Sequence, residues 1–319
     1  MEQYLLLKIL IAFVIFIFAG FILYSILLQY KNKKKQFFNR EFDYFKDNTN
    51  NIVPLSYIDI PLYYINMDKS EYRRAHLENQ ISQYRINNAL RIEGVDGSKL
   101  TDFYNGTFTN NGMTYNYSIT YRGKKLKKSE IGCLLSHLIA LKTIYERGDE
   151  LSLVVEDDIN FVLSKVWGKP LSKIIKDFQN DPKTRDFGII KLTNSLCNAN
   201  EFEDLSLDEE KSEKRCFSTA AMVYTYPAIA NIIERVYDAN TNTFIIDDAT
   251  ATDKWIFDNT NKVYNTNPSL LMPFDDTSDS NISYDDSWQL NNANIPIINI
   301  YNKYINKHRQ TDEILPLRL

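Results

Sequence analysis

Between Ser129 and Val155 the chain reads as one amphipathic helix followed at once by one buried strand, and this pair limits the possible folds most. Ile131, Leu134, Leu135, Leu138, Leu141 and Tyr145 recur at helical spacing. Ser129 is placed to cap the helix and Gly148 to stop it after Arg147. LSLVV, Leu151 to Val155, is a short apolar run that ends in Glu156-Asp157-Asp158. The same alternation continues on both sides. A strand is expected over Ile58 to Asn66, a helix from about Ser70 to Tyr84 and a strand near Leu90 to Val95. Beyond the acidic triplet follow a helical stretch around Leu171 to Phe178 and a strand over Gly188 to Leu192. Helices alternating with short apolar strands predict an α/β domain with a mostly parallel sheet. Ligands of such sheets bind beyond the carboxyl ends of the strands, which is where the triplet falls.

The rest of the chain sets the organisation around that domain. Ile9 to Leu28 is an uncharged apolar run, long enough as a helix to cross roughly 30 Å of hydrocarbon. It has no small-residue cleavage site, so a retained single-pass anchor in a lipid bilayer is expected. Lys31, Lys33, Lys34, Lys35 and Arg40 follow it, and the positive-inside rule then favours the cytoplasm for the catalytic domain. The expected divisions are an anchor over 1–30, a stem over 31–52, a catalytic domain over 53–290 and a C-terminal extension over 291–319. A formal net charge of −4 argues against nucleic acid as a partner. Cys133, Cys197 and Cys216 form no CxxC pair, which disfavours a disulfide framework or a zinc site. Sequons at Asn105, Asn116 and Asn281 matter only for a lumenal domain.

Adjacent carboxylates at a strand end repel each other, so Glu156, Asp157 and Asp158 call for a cation. Mg²⁺ or Mn²⁺, hard and oxygen-seeking, suits them and can bridge to a diphosphate. The plainer reading is a solvated acidic turn. Seven residues apart on the preceding helix, Glu130 and His137 lie about 20° apart on one flank, where they can line a polar pocket. Gly132 and Ser136 lie on the adjoining face and allow close backbone approach. IIDDATATD offers Asp247, Asp248 and Asp253 as carboxylate bases or as an acidic loop before the helix of Trp255. The basic stretch Gly123 to Lys128 and the acidic run Phe274 to Asp279 read as solvated loops. Their sharper alternatives are contact with phosphates or anionic lipid and a third metal ligand.

Four blocks in fixed order resemble glycosyltransferase family 25, which includes lipooligosaccharide galactosyltransferases and collagen hydroxylysine glycosyltransferases. They are YINMDKSEYRR (Tyr64 to Arg74), GVDG (Gly94 to Gly97), SEIGCLLSH (Ser129 to His137) and LVVEDDI (Leu153 to Ile159). A weaker fifth, STAAMVYTYPAIANII (Ser218 to Ile233), precedes Asp253. Met67 and Asn281 depart from the family pattern. The resemblance implies a GT-A type Rossmann-like domain in which Glu156-Asp157-Asp158 is the DxD-type motif. Asp158 would then be a direct ligand of Mn²⁺ or Mg²⁺, with Glu156 or Asp157 on the ribose or at a second ligand position. Asn66, Asp68 and Arg73 would lie beside the nucleotide of a UDP-sugar donor. Asp253, or Asp248, would be the base of an inverting transfer to a glycan or a hydroxylysine-containing acceptor, with Glu130 and His137 as further candidate catalytic groups. The rival readings are an inactive membrane-tethered scaffold and a metal-dependent phosphoesterase. The latter usually gathers His around two metals, and the chain has three His in all.

Overall fold

The computed structural model describes residues 57–161, 163–164, 167, 169–193, 206–209, 218–267 and 269–273. The expected membrane span, the stem, the C-terminal extension and the run Phe274 to Asp279 lie outside the described residues. Among those residues no helix is long and apolar enough to cross a membrane.

The first half alternates as the sequence pattern anticipates. Strand β1 (Leu62–Asn66) leads into helix α1 (Glu71–Gln83) and strand β2 (Ala89–Glu93). A 3₁₀ turn, Gly97–Lys99, is followed by strands β3 (Asn105–Asn110) and β4 (Met113–Tyr121), then helix α2 (Lys128–Arg147) and strand β5 (Leu151–Glu156). Next come β6 (Ile159–Asn160), α3 (Leu171–Asn180), β7 (Ile189–Lys191), β8 (Ser206–Glu209) and β9 (Ala221–Thr225). The last described elements are α4 (Tyr226–Val236), β10 (Tyr237–Asp238), β11 (Thr243–Ala249), α5 (Thr252–Asp258), β12 (Val263–Asn267) and β13 (Met272–Pro273).

Among the described residues, seven strands form one sheet in the order β2-β1-β5-β9-β7-β12-β8. The sheet is mostly parallel, as expected. Five strands share one direction, but β9 and β8 run against their neighbours. Strand β9 lies between β5 and β7 and pairs antiparallel with both, and β8 pairs antiparallel with β12. Side chains of β1 alternate between two cores: Tyr63 and Ile65 face α2 and α4, while Leu62 and Tyr64 face the side of Leu77, Leu171 and Ile174. The sheet is therefore covered on both faces, which is why β1 and β5 are apolar without alternation.

Helix α2 is the central element. Ile131, Leu134, Leu135, Leu138, Leu141 and Ile144 are fully buried, and so is Ala140 on another face. It starts at Lys128 rather than at Ser129 because Glu130 Oε2 accepts the Lys127 backbone N–H at 2.6 Å. It stops as expected at Gly148, whose φ of 73° is the left-handed conformation that glycine adopts without strain. A second sheet, β10-β11-β4-β3, escaped the sequence reading. Its hairpin was legible: Asn111 and Gly112, both at positive φ, join β3 to β4 in a two-residue turn of the kind Asn-Gly favours.

Candidate active site

The carboxyl ends of β1, β2 and β5 and the first three turns of α2 enclose a cavity of about 450 Å³. Its walls include Met67, Arg73, the Gly94–Ser98 loop, Cys133, His137 and all three residues of the acidic triplet. Close packing of α2 shapes one wall. Ser136 Oγ accepts the Val95 N–H at 2.8 Å and donates to Gly132 O at 2.7 Å. A Cβ on Gly132 would meet Val95 O at 2.6 Å and Gly97 N at 2.8 Å. Gly132→Ala is therefore expected to destabilise the protein by about 1–3 kcal/mol, the cost of overpacking a close backbone contact. Urea unfolding checks it, and an unchanged midpoint would mean that the loop gives way freely.

Each acidic residue has a different environment. Asp157 is buried and both of its oxygens are engaged: Asn66 Nδ2 donates to Oδ2 at 2.7 Å and Arg73 Nη1 to Oδ1 at 2.9 Å. Burial still raises its carboxyl above the ordinary value, against the pull of Arg73 and Asn66. Asp157 thus ties β5 to β1 and α1. Glu156 Oε1 accepts from Thr219 Oγ1 at 2.6 Å and from His137 Nε2 at 3.2 Å. Burial pushes the Glu156 carboxyl up, but His137, Thr219 and Arg73 together outweigh it and hold it below its usual range. Asp158 differs from both. Its Oδ1 is buried without a hydrogen-bond partner, and its Oδ2 lies 3.7 Å from Arg73 Nη1. Burial and the charge of Glu156 push its carboxyl up to about 7.

The donor set fits a hard divalent cation. An orphaned buried carboxylate oxygen is costly, and a bound cation would satisfy it and offset the repulsion from Glu156. Asp158 and Glu156 are the residues with capacity to hold that ion, because the oxygens of Asp157 already accept from Asn66 and Arg73.

The other sequence candidates are dispersed. Asn66 stands at the end of β1, where Arg91 Nε donates to its Oδ1 at 3.2 Å. Asp68 is exposed and pairs with Arg91 Nη2 at 2.5 Å, which lowers its carboxyl. Glu130 is occupied in capping α2 and does not line the cavity. Asp253 lies in the first turn of α5, half-buried, with its carboxyl raised by burial and partly offset by Lys191. It feels the charge of Glu156 but stands outside the cavity wall. Asp248 is exposed at an irregularity of β11, at positive φ, where its N–H donates to Thr120 Oγ1 at 3.0 Å. Asp247 accepts from the Thr120 hydroxyl at 3.2 Å. The sequence reading missed Thr219, Arg91 and Cys133. The first lay within the fifth block already singled out, the second alternates with Leu90 and Ile92 on β2, and the third shares the GC-x-x-SH segment with His137.

The chain resembles known proteins over part of its length. Procollagen galactosyltransferase 1-B of Xenopus laevis is 31% identical over 121 residues, 34% of this chain and 20% of that protein. Procollagen galactosyltransferase 2 of Mus musculus is 29% identical over 116 residues, 36% of this chain and 18% of that protein. A shorter stretch of 49 residues is 47% identical to procollagen galactosyltransferase 1 of Danio rerio, 15% of this chain and 8% of that protein. The aligned stretches thus span a fifth or less of these relatives' own length. The family described as "Glycosyltransferase family 25 (LPS biosynthesis protein)" matches residues 59–252, more than half of the sequence and every element that builds the cavity. The chain belongs to glycosyltransferase family 25.

Proposed function

We propose that this protein transfers a hexose from a UDP-sugar to an acceptor hydroxyl, with inversion, in the cavity at the carboxyl ends of β1, β2 and β5. The observation that carries the reading is Asp158, whose partnerless buried oxygen stands next to Glu156 where a donor diphosphate and its cation would meet. Galactose is the first donor to test, because the relatives are named galactosyltransferases. A hydroxylysine of a collagen-like chain is the corresponding acceptor, and a glycan is the alternative.

Mn²⁺ or Mg²⁺ held by Asp158 and Glu156 would supply electrostatic stabilisation of the departing diphosphate. The chain's own residues do the rest. Asn66 and Arg73 hold Asp157 and with it the turn that carries Asp158. Thr219 and His137 fix Glu156. Asp253 is the proposed base; its raised carboxyl suits it to receive the acceptor's proton. Asp253→Asn should then reduce turnover far more than donor affinity. A GT-A type domain is part of this proposal, supported by the mixed α/β fold with its parallel strands, and the apolar run over Ile9 to Leu28 is proposed to tether the domain to a bilayer.

The test is UDP release from a panel of UDP-sugars, with and without Mn²⁺. Metal-dependent release from one sugar, preferentially UDP-galactose, is expected. Because the Asp158 carboxyl is held near 7, metal affinity should rise as pH increases through that value and the ligand loses its proton. No release and no metal-dependent UDP binding would favour an inactive relative.

A further inference from the structure

One wall of the cavity sets two groups that a hard-metal donor site does not use, Cys133 and His137, beside Glu156, which the two sites share. Cys133 and His137 are four residues apart on α2, so both side chains point the same way, toward the end of β5. Their ligand atoms and a Glu156 carboxylate oxygen all lie within 4.8 Å of one another. His137 is almost fully buried, and its Nδ1 has no hydrogen-bond partner. Asp158 is not part of this group.

We propose that Cys133, His137 and Glu156 form a binding site for a borderline-soft divalent cation, Zn²⁺, in addition to the oxygen-ligand site of Asp158. Thiolate, imidazole and carboxylate are the ligand types zinc takes, and three of them leave a fourth position open to the cavity. The geometry fits a tetrahedral centre. His137 Nε2 and Glu156 Oε1 are 3.2 Å apart, and bonds of about 2.0 Å at a tetrahedral angle put two ligands roughly 3.3 Å apart. The Cys133 thiol, within 4.8 Å of both atoms, would supply the third corner. Binding replaces the thiol proton by the metal and releases it to solvent, while the imidazole binds through Nε2 and carries its single proton on Nδ1, which has no other partner. A hard cation such as Mn²⁺ has little preference for the thiol, which separates the two sites by ligand softness. The inference stands on this geometry and needs no sugar transfer to be tested.

The experiment is a Co²⁺ titration of the full-length protein, with Co²⁺ as the spectroscopic stand-in for Zn²⁺. A sulfur-to-cobalt charge-transfer band in the near ultraviolet is expected, abolished by excess Zn²⁺. The band should be lost in Cys133→Ser, weakened in His137→Gln and retained in Asp158→Asn. Zn²⁺ affinity should fall by ~100-fold or more in Cys133→Ser, beyond the loss typical of an outer-shell change. Independently, Zn²⁺ should protect Cys133 of the unmodified protein from a thiol reagent, located by peptide mass. Absence of the band and of protection in the unmodified protein overturns the proposal, as does a band that survives Cys133→Ser. Failure of UDP release with the band intact would count against the transferase reading alone.

Discussion

Asp158→Asn is expected to lower metal-dependent sugar transfer roughly 10³-fold, a loss of about 4 kcal/mol of transition-state stabilisation. The change removes the charge of the one carboxylate in the triplet with a buried, unsatisfied oxygen, and hardly alters its shape. The same variant should resist urea better than the parent protein when no divalent metal is present. Burial and Glu156 raise the Asp158 carboxyl to about 7 in the folded state, well above its unfolded value near 4. A carboxyl raised by folding binds more protons in the native state, so its ionisation weakens the fold as pH climbs from about 4 through 7. The amide cannot ionise, and the gain should be largest above pH 7 and vanish below pH 4. Activity and urea midpoints measured across pH check both arms. A variant that keeps full activity removes Asp158 from the metal site. One that loses activity without gaining stability at pH 8 means that the carboxylate is already compensated in the folded protein.

Arg73→Met is expected to destabilise the protein by about 3–5 kcal/mol at pH 7, a large share of a typical domain's total stability. Arg73 and Asp157 each expose only about a tenth of their side chains, and Arg73 also faces Asp158. Methionine fills a similar volume but leaves Asp157 buried with only Asn66 for support, beside two further carboxylates. Without the guanidinium the Asp157 carboxyl, already raised by burial, rises further. The deficit should therefore shrink as pH falls through that raised value and Asp157 takes up a proton. Denaturant unfolding at pH 7 and pH 5 measures it. Equal deficits at the two pH values would show that lost packing, and not an uncompensated charge, dominates.

Local patterns were enough to identify α1, α2, β1, β2, β5, α3 and β7, because each carries its own periodicity or cap. Helix α2 is the clearest case. Its apolar stripe and Gly148 sit in adjacent residues, and the error was confined to its first residue, where Glu130 caps Lys127. The second sheet was missed although Tyr115, Tyr117 and Ile119 alternate inward along β4 behind an Asn-Gly turn. A strand rich in Asn, Thr and Tyr lacks the aliphatic run by which β5 is recognised.

By itself the sequence determined the helix–strand alternation of α1, α2, α3 with β1, β2, β5 and β7, the carboxyl-end position of Glu156-Asp157-Asp158 and the resemblance that led to the family. These are local properties, read from neighbours along the chain. The division of labour within the triplet was decided only by tertiary structure. Asp157 is engaged because Asn66 and Arg73, 91 and 84 residues away, reach it. Glu156 is fixed by His137 and Thr219, while Asp158 keeps an oxygen without a donor. Three adjacent carboxylates are chemically alike in a sequence. Burial and the donors that distant elements bring to each one make them different.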